Sequence, residues 1–578
     1  MQRTHKQRRW IVPPPHDSAK ELADRLRTSQ LIAQMLLNRG LSDPQDCTDF
    51  LRPSLKLLPD PGLISNLPAA AQRIAQAIRD RQKIVIYGDY DVDGITATAI
   101  LWHAIRLLGG SVQYYIPHRI EEGYGLNAEA IAQICGDGGR LIVTVDCGIT
   151  ATEPAKVARE RGVDLIITDH HEPHAELPEC FAIVHPRLGD TYPNPHLCGA
   201  GVAFKLAWGV GLAISGANRV NEDFRNFLVE ATALAALGTI ADVVPLIGEN
   251  RVLAHFGLSG LKASKLNGIR ALIASAGLDG QNIDCYHVGF VLAPRLNACG
   301  RMGHANLAVQ LLTDADEAKA TEIANYLNEQ NRSRQTIEKK ILEEALAQAT
   351  QLGLDQAENR AIVLAAEGWH PGVIGIVASR IVERFHRPAV MIALNNGSGQ
   401  GSGRSISGFH LARGLEACSQ HLDAWGGHEM AAGLKIQSGK LEAFRQSFLE
   451  HAGSKIDPTM LIPELRIDCE AELAHMSEAL VNEMNRLGPF GHGNRRPLLC
   501  CRKLILAGPP RRVGKTGDHL QLFVKNGRFH MKCIAFGYGE MFDKLQPGMT
   551  LDLAVEPQIN EFNGRVSVEL AVKDLQIA

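Results

Sequence analysis

Three apolar runs, KIVIYG from Lys83, LIVTV from Leu141 and DLIIT from Asp164, dominate what this chain can fold into. Each is too short for a helix and apolar at nearly every position, so each reads as a strand buried on both faces. The segments between them, ITATAILWHAIRLLGG, LNAEAIAQICGDGG and EPAKVARERG, carry helical spacing and end at glycine. A further strand, SVQYYIP, follows the first helix. The rhythm predicts a parallel sheet covered by helices, with a ligand site outside the carboxyl ends of its strands.

Those ends carry charge. The first run leads into GDYDVDG, with Asp89, Asp91 and Asp93 at every second position. The second leads into Asp146, and the third into Asp169, His170 and His171. Side chains two apart in a strand share a face, so the acids would crowd unless cations lie between them. Oxygen and imidazole donors without thiolate suit Mg2+ or Mn2+. Two ions about 3.5–4 Å apart form the usual clamp for displacement at phosphorus. A single DxD after a strand is often a turn or a helix cap. Three such tips on consecutive strands make that explanation hard to sustain.

At 578 residues the chain exceeds one ordinary core. Residues 1–79 read as a helical lead-in, with one helix over LADRLRTSQLIAQMLLNRG ending at Gly40. Residues 80–312 form the first α/β domain. Residues 313–352 contain neither glycine nor proline, and predict one helix opened by Thr313, about 60 Å long at about 1.5 Å per residue. Residues 353–460 repeat α/β texture, with strands AIVLAA and PAVMIAL and a glycine-rich loop, NNGSGQGSGRSISG. Residues 461–578 turn to short strands at close intervals, the pattern of a small β-barrel. Basic residues there, among them Arg495, Arg496, Arg502 and Arg512, lie among Phe523 and Phe529, as in folds that hold single strands.

Net charge is −3, so a nucleic-acid contact would rest on local basic patches. Twelve scattered cysteines with no CxxC read as reduced thiols. No run is apolar enough to span a membrane, and MQRTHKQRRW lacks the apolar core of a signal peptide. The expectation is a cytoplasmic monomer.

GDYDVDG, VTVDCGI, TDHH and ALGTIADVVPL resemble the motifs of the DHH phosphoesterases. HRIEEGYGLN, APRLNACGRMGHA, GSGRSISG, GGHEMAAG and PFGHGNRRPL narrow the resemblance to the RecJ family of single-strand-specific DNA exonucleases. The match runs in order from about residue 80 to the end of the chain. It implies a parallel-sheet DHH domain and a DHHA1-type α/β domain joined by the long helix, followed by an OB-like barrel. It further implies digestion from a 5′ end to mononucleotides by two ions, in DNA repair and recombination. Single-strand-binding protein and a helicase would supply the strand.

Carried over by motif, Asp91 and Asp93 hold the two ions, Asp146 bridges them, and His170 and Asp242 complete the second site. Asp89, Asp169 and His171 are the catalytic candidates, with His171 beside the scissile phosphate and Asp89 available to the first site. Arg119, Arg301, Ser402, Arg404 and Ser405 would grip a 5′-phosphate. His428 and Gln335 would contact the strand. One departure is Tyr87, where the pyrophosphatase branch of the superfamily has histidine, so the first site should be poorer in ligands. The same metal centre on a phosphatase or short-oligonucleotide hydrolase is the competing expectation. The long helix and barrel weigh against it, because a small substrate needs neither. A non-catalytic scaffold ranks last, since every matched ligand position is filled.

Overall fold

The computed structural model describes residues 8–118, 122, 125–301, 304–356, 358–562 and 564–578. They form two compact units. No described helix is long and apolar enough to cross a membrane.

One unit spans residues 45–332 with 486–496. Its sheet is built from β1 (Lys83–Gly88), β2 (Ser111–Tyr115), β3 (Leu141–Val145), β4 (Asp164–Thr168) and β5 (Ala182–Val184). All pairings are parallel, in the spatial order β2-β1-β3-β4-β5. The three charged tips therefore do leave adjacent strands at one edge. Helix α1 (Val92–Leu107) starts directly from the first tip and packs against α2 (Gly199–Ser215) and α3 (Glu222–Ala241). Gly238 lies where these helices meet: a Cβ there would stand 2.5 Å from Asp93 and 2.6 Å from the Ala200 methyl.

The lead-in is not one helix. Helices Ala19–Leu26 and Gln30–Leu37 are separated at Arg27, whose φ of 52° lies in the left-handed region. Nor does the lead-in belong to one unit. Residues up to 44 fall with the C-terminal strands, where Trp10 Nε1 donates to Asp574 at 2.8 Å. Helix Leu67–Arg79 packs beneath the parallel sheet, with Arg73 Nε donating to Asp164 at 2.6 Å.

The long helix, Glu317–Gln351, is opened by Asp316, which accepts from the Lys319 amide. Thr313, the expected cap, instead donates its hydroxyl back to the Val309 carbonyl.

The other unit spans residues up to 44, 333–485 and 497–578. Its first sheet contains β6 (Ile362–Glu367), β7 (Ala389–Asn395), β8 (Ser398–Arg404), β9 (Ala424–Gly427) and β10 (Ala431–Gln437), with α4 (Pro371–Phe385) packed against β7 and β8. The expected glycine-rich loop is thus strand β8, paired antiparallel on both sides. Its glycines alternate. Gly399, Gly401 and Gly403 face the core, where a Cβ would meet Ile392, Leu434 and Leu411 at 2.9 Å or less. Neighbouring side chains fill the space, so the strand holds its pairing without apolar residues of its own.

The barrel closes from β11 (Leu499–Leu506), β12 (His519–Asn526), β13 (Phe529–Ala535), β14 (Thr550–Phe562) and β15 (Arg565–Ile577). The order β11-β14-β15-β13-β12 returns to β11 through the Ile505–Lys525 and Leu506–Val524 pairs. Phe523 and Phe529 are exposed and not part of its core. The basic run is partly neutralised, since Arg502 pairs with Glu470 and Asp552, and Arg512 with Asp543.

Candidate metal centre

The tip of β1 continues straight into a helix. Asp91 is its N-cap and accepts from the amides of Asp93 at 2.9 Å and Gly94 at 3.2 Å. Asp93 lies in the first turn, entirely buried, and accepts from the amides of Gly199 at 2.6 Å and Ala200 at 2.8 Å. Its carboxylate therefore sits at the positive ends of two helices, α1 and α2. Glycine is required at these approaches. A Cβ on Gly199 would stand 2.5 Å from that of Asp146, and one on Gly94 would stand 2.6 Å from the Asp89 carbonyl.

Asp146 follows β3 with φ 61°, a left-handed conformation that an aspartate adopts at a cost and that fits a functional position. Its Oδ1 lies 3.1 Å from His170 Nε2, which is 3.7 Å from Asp93 Oδ2 and 3.6 Å from Asp242 Oδ2. Both Asp146 Oδ1 and His170 Nε2 are buried without a hydrogen-bond partner.

Burial pushes the His170 imidazole down to about 4, so it is neutral at pH 7. Burial, followed by the surrounding carboxylates, pushes Asp146 well up, and Asp242 up to about 8. Burial raises Asp93 as well.

A buried pair of polar atoms facing each other in a ring of carboxylates is costly unless a cation lies among them. The donor set fits divalent ions. Asp89, Asp91 and Asp146 bring ligand atoms within 4.8 Å of one another, as do Asp93, His170 and Asp242, and Asp146, His170 and His171.

Asp169 has a different part. Its Oδ1 accepts from the amides of His170 at 2.7 Å and His171 at 3.1 Å and meets His171 Nδ1 at 2.7 Å; its Oδ2 accepts from the Ile149 amide at 2.9 Å. Burial opposes its ionisation, but these bonds hold it at about 2. Burial also opposes charge on His171, yet the Asp169 bond and charge carry that imidazole up to about 9. The side chain of His171 is 43% exposed against 10% for His170, so the two adjacent imidazoles differ in both charge and access.

Tyr87 is fully buried, its hydroxyl donating to the Gly125 carbonyl at 3.2 Å, and it contributes nothing to the carboxylates. The Asp89–Asp91–Asp146 group accordingly contains no imidazole. The Cys147 thiol is raised well up by burial and faces the Val145 and Tyr87 carbonyls.

Two contributions escaped the sequence reading. The amides of Gly199 and Ala200 come from CGAG, a helix start whose link to Asp93 depends on packing. Asn297 Oδ1 accepts from the Val92 amide at 3.2 Å, and a Cβ on Gly300 would stand 2.5 Å from the Tyr90 carbonyl. The APRLNACGR helix thus braces the GDYDVDG turn.

The expected phosphate grip is only partly visible. Arg119 and the Arg301 side chain lie outside the described residues. In the other unit, Ser402 and Arg404 share one face of β8, with Arg404 Nη1 donating to Ser402 Oγ at 3.2 Å. Gly375 of α4 faces them, and a Cβ there would stand 2.9 Å from Ser402 Oγ. Ser405 does not join them: it is buried, and its hydroxyl donates to the Phe409 carbonyl at 2.7 Å. His428, in the turn between β9 and β10, and Gln335, on the long helix, are exposed. Trp369 is core, with Nε1 donating to Glu344 at 2.8 Å.

Residues 83–239 match the DHH family, N-terminal domain; residues 358–453 match the DHHA1 domain; residues 467–574 match the RecJ OB domain. The chain is 40% identical to the single-stranded-DNA-specific exonuclease RecJ of Bacillus subtilis, over 99% of this chain and 71% of that protein. It is 36% identical to the protein of the same name from Dickeya dadantii, over 96% and 97%. The crystal structure of RecJ in complex with Mn2+ from Thermus thermophilus superposes with a TM-score of 0.84 at 32% identity, covering 99% of this chain and 79% of that one. With this domain order and similarity along nearly its whole length, the chain belongs to the RecJ family.

Proposed function

We propose that this chain hydrolyses single-stranded DNA from a 5′ end to mononucleotides, using two divalent cations, Mn2+ or Mg2+. The observation that carries the reading is the pair of buried atoms, Asp146 Oδ1 and His170 Nε2, left without hydrogen bonds inside a ring of aspartates. In this reading Asp89, Asp91 and Asp146 hold one cation, and Asp93, Asp146, His170 and Asp242 hold the other. When bound, the pair lowers the pKa of water and neutralises charge on the phosphoryl oxygens.

The remaining steps belong to the chain's own groups. The Gly199 and Ala200 amides fix Asp93 before any substrate arrives, which is preorganisation. Asp169 fixes Nδ1 of His171 and keeps the ring cationic, so Nε2–H is the donor available to a phosphate oxygen or the leaving 3′-oxygen. Ser402 and Arg404, side by side on β8, offer a hydroxyl and a guanidinium to the terminal phosphate. His428 and Gln335 contact the strand. The barrel's exposed Phe523 and Phe529 offer rings to unpaired bases. Such a substrate arises when duplex is unwound, so a helicase and a single-strand-binding protein belong upstream, in DNA repair and recombination in the cytoplasm. The chain acts as a monomer.

The test is one oligonucleotide labelled at the 5′ end in one tube and at the 3′ end in another, with Mn2+ or Mg2+. The reading expects immediate release of the 5′ label as a mononucleotide and gradual shortening of the 3′-labelled strand. Cleavage confined to dinucleotides would contradict it.

A further inference from the structure

Tyr286 and Phe290 are among the most exposed large apolar side chains described, at 62% and 66%. They lie one helical turn apart and stack on each other, ring centroids 5.1 Å apart and planes 27° from parallel. Nothing within 4 Å would meet a Cβ on Gly289 between them, so the surface beside the rings is open.

The backbone under Phe290 is unusual. Val288–Leu292 is a π-helical turn, in which the Ala293 amide donates to the Val288 carbonyl, five residues back. Pro294 has no amide to donate to the Phe290 carbonyl, which accounts for the widening. Such turns recur at functional sites.

One arginine stands at this turn. Arg295 Nη1 donates to the Val291 carbonyl at 2.5 Å, so its guanidinium lies within a turn of Phe290. Its Nε is buried without a hydrogen-bond partner. Burial, and then the charge of Arg332, depress its basicity. An anion at this point would satisfy the Nε–H.

The same run of helix continues to Asn297, which caps the backbone at Val92 between Asp91 and Asp93. Seven residues separate Phe290 from Asn297, about 10 Å at about 1.5 Å per residue.

We infer that Tyr286 and Phe290 form a stacking platform for unpaired bases of the DNA strand, with Arg295 meeting a phosphate of the same strand. Paired rings beside a cation match how single strands are held without sequence preference. The inference rests on the proposed activity only for the identity of the strand, and binding can be measured apart from cleavage.

The experiment compares wild type with Tyr286→Ala, Phe290→Ala, the double variant, and Phe290→Trp. Binding of a short oligonucleotide carrying 2-aminopurine is followed in EDTA by fluorescence. KM and kcat are then measured with Mn2+ on a 20-mer and on a dinucleotide. Each lost ring should weaken binding of the oligonucleotide by about 5- to 150-fold, the range for one base stacked on one aromatic. KM on the 20-mer should rise by a similar factor with kcat little changed, while the dinucleotide is cleaved as before. Phe290→Trp should bind like wild type. Unchanged affinity and unchanged 2-aminopurine quenching in the double variant would overturn the platform, including if the surface serves an apolar protein partner. Wild type that binds the strand but cleaves none of it would sink the proposed activity and leave the platform standing.

Discussion

Asp146 Oδ1 and His170 Nε2 face each other at 3.1 Å, both buried and neither hydrogen-bonded. In the absence of cations this contact destabilises the fold. Asp146→Asn should therefore raise stability in EDTA by roughly 1–3 kcal/mol, the cost of an unsatisfied buried group. The same variant should lose the stabilisation that wild type gains from Mn2+, about 2.7 kcal/mol at 100 times Kd. Thermal melting with and without Mn2+ checks both, and a variant that melts below wild type in EDTA would contradict the account.

Asp169 and His171 form the second key pair. Asp169→Asn keeps the shape but removes the charge that holds the imidazole cationic. Activity should fall about 10²- to 10⁴-fold, the range for general acid–base groups, while Mn2+ affinity stays near that of wild type. Measuring kcat beside a Mn2+ titration separates this from simple loss of metal; equal losses in both would put Asp169 among the ligands.

Gly238→Ala would drive a Cβ to within 2.5 Å of Asp93 Oδ1, against a helix-packed group that cannot retreat. Overpacking of this kind costs about 1–3 kcal/mol, and Asp93 should lose its amide contacts at the same time. Gly136→Ala, where nothing lies within 4 Å, is the matched control and should leave both stability and activity intact. Chemical denaturation and an activity assay on the two variants decide it.

Much of this centre was legible because charge at strand tips is a local signal. The run of Asp89, Asp91 and Asp93 marked the site, although not through a shared strand face, since Asp91 caps α1 and Asp93 lies in its first turn; strand adjacency added Asp146 and His170. Asp242 and the role of His171 came from the family resemblance. The division of labour in DHH was not legible, since whether an acid faces a cation or, like Asp169, three backbone amides and an imidazole depends on backbone geometry beyond the strand. The contribution of CGAG was hidden for a similar reason: helix α2 meets Asp93 only after packing. Strand β8 was misread because Ser–Gly composition signals a loop. Its strict alternation of glycine was the signal for a strand whose neighbours supply the bulk. The lead-in helix was broken by Arg27 in a conformation that nothing in its side chain announces.

Away from the metal centre, Lys205 Nζ contacts Glu249 Oε1 at 2.5 Å with both side chains almost wholly inaccessible, and Tyr192 donates to the same carboxylate. Burial lowers the lysine, and the glutamate opposes that. Lys205→Met would strand Glu249 and should cost about 3–5 kcal/mol, whereas replacing both partners with apolar residues of similar volume should recover most of it. Urea denaturation of the single and double variants measures the difference.

The most direct test of the central claim is a count of bound Mn2+ by electron paramagnetic resonance, on wild type and on His170→Ala. The account predicts two ions per chain in wild type and selective loss of the one shared by Asp93, His170 and Asp242. Wild type that binds no Mn2+, or a His170→Ala variant that binds both ions as before, would contradict it.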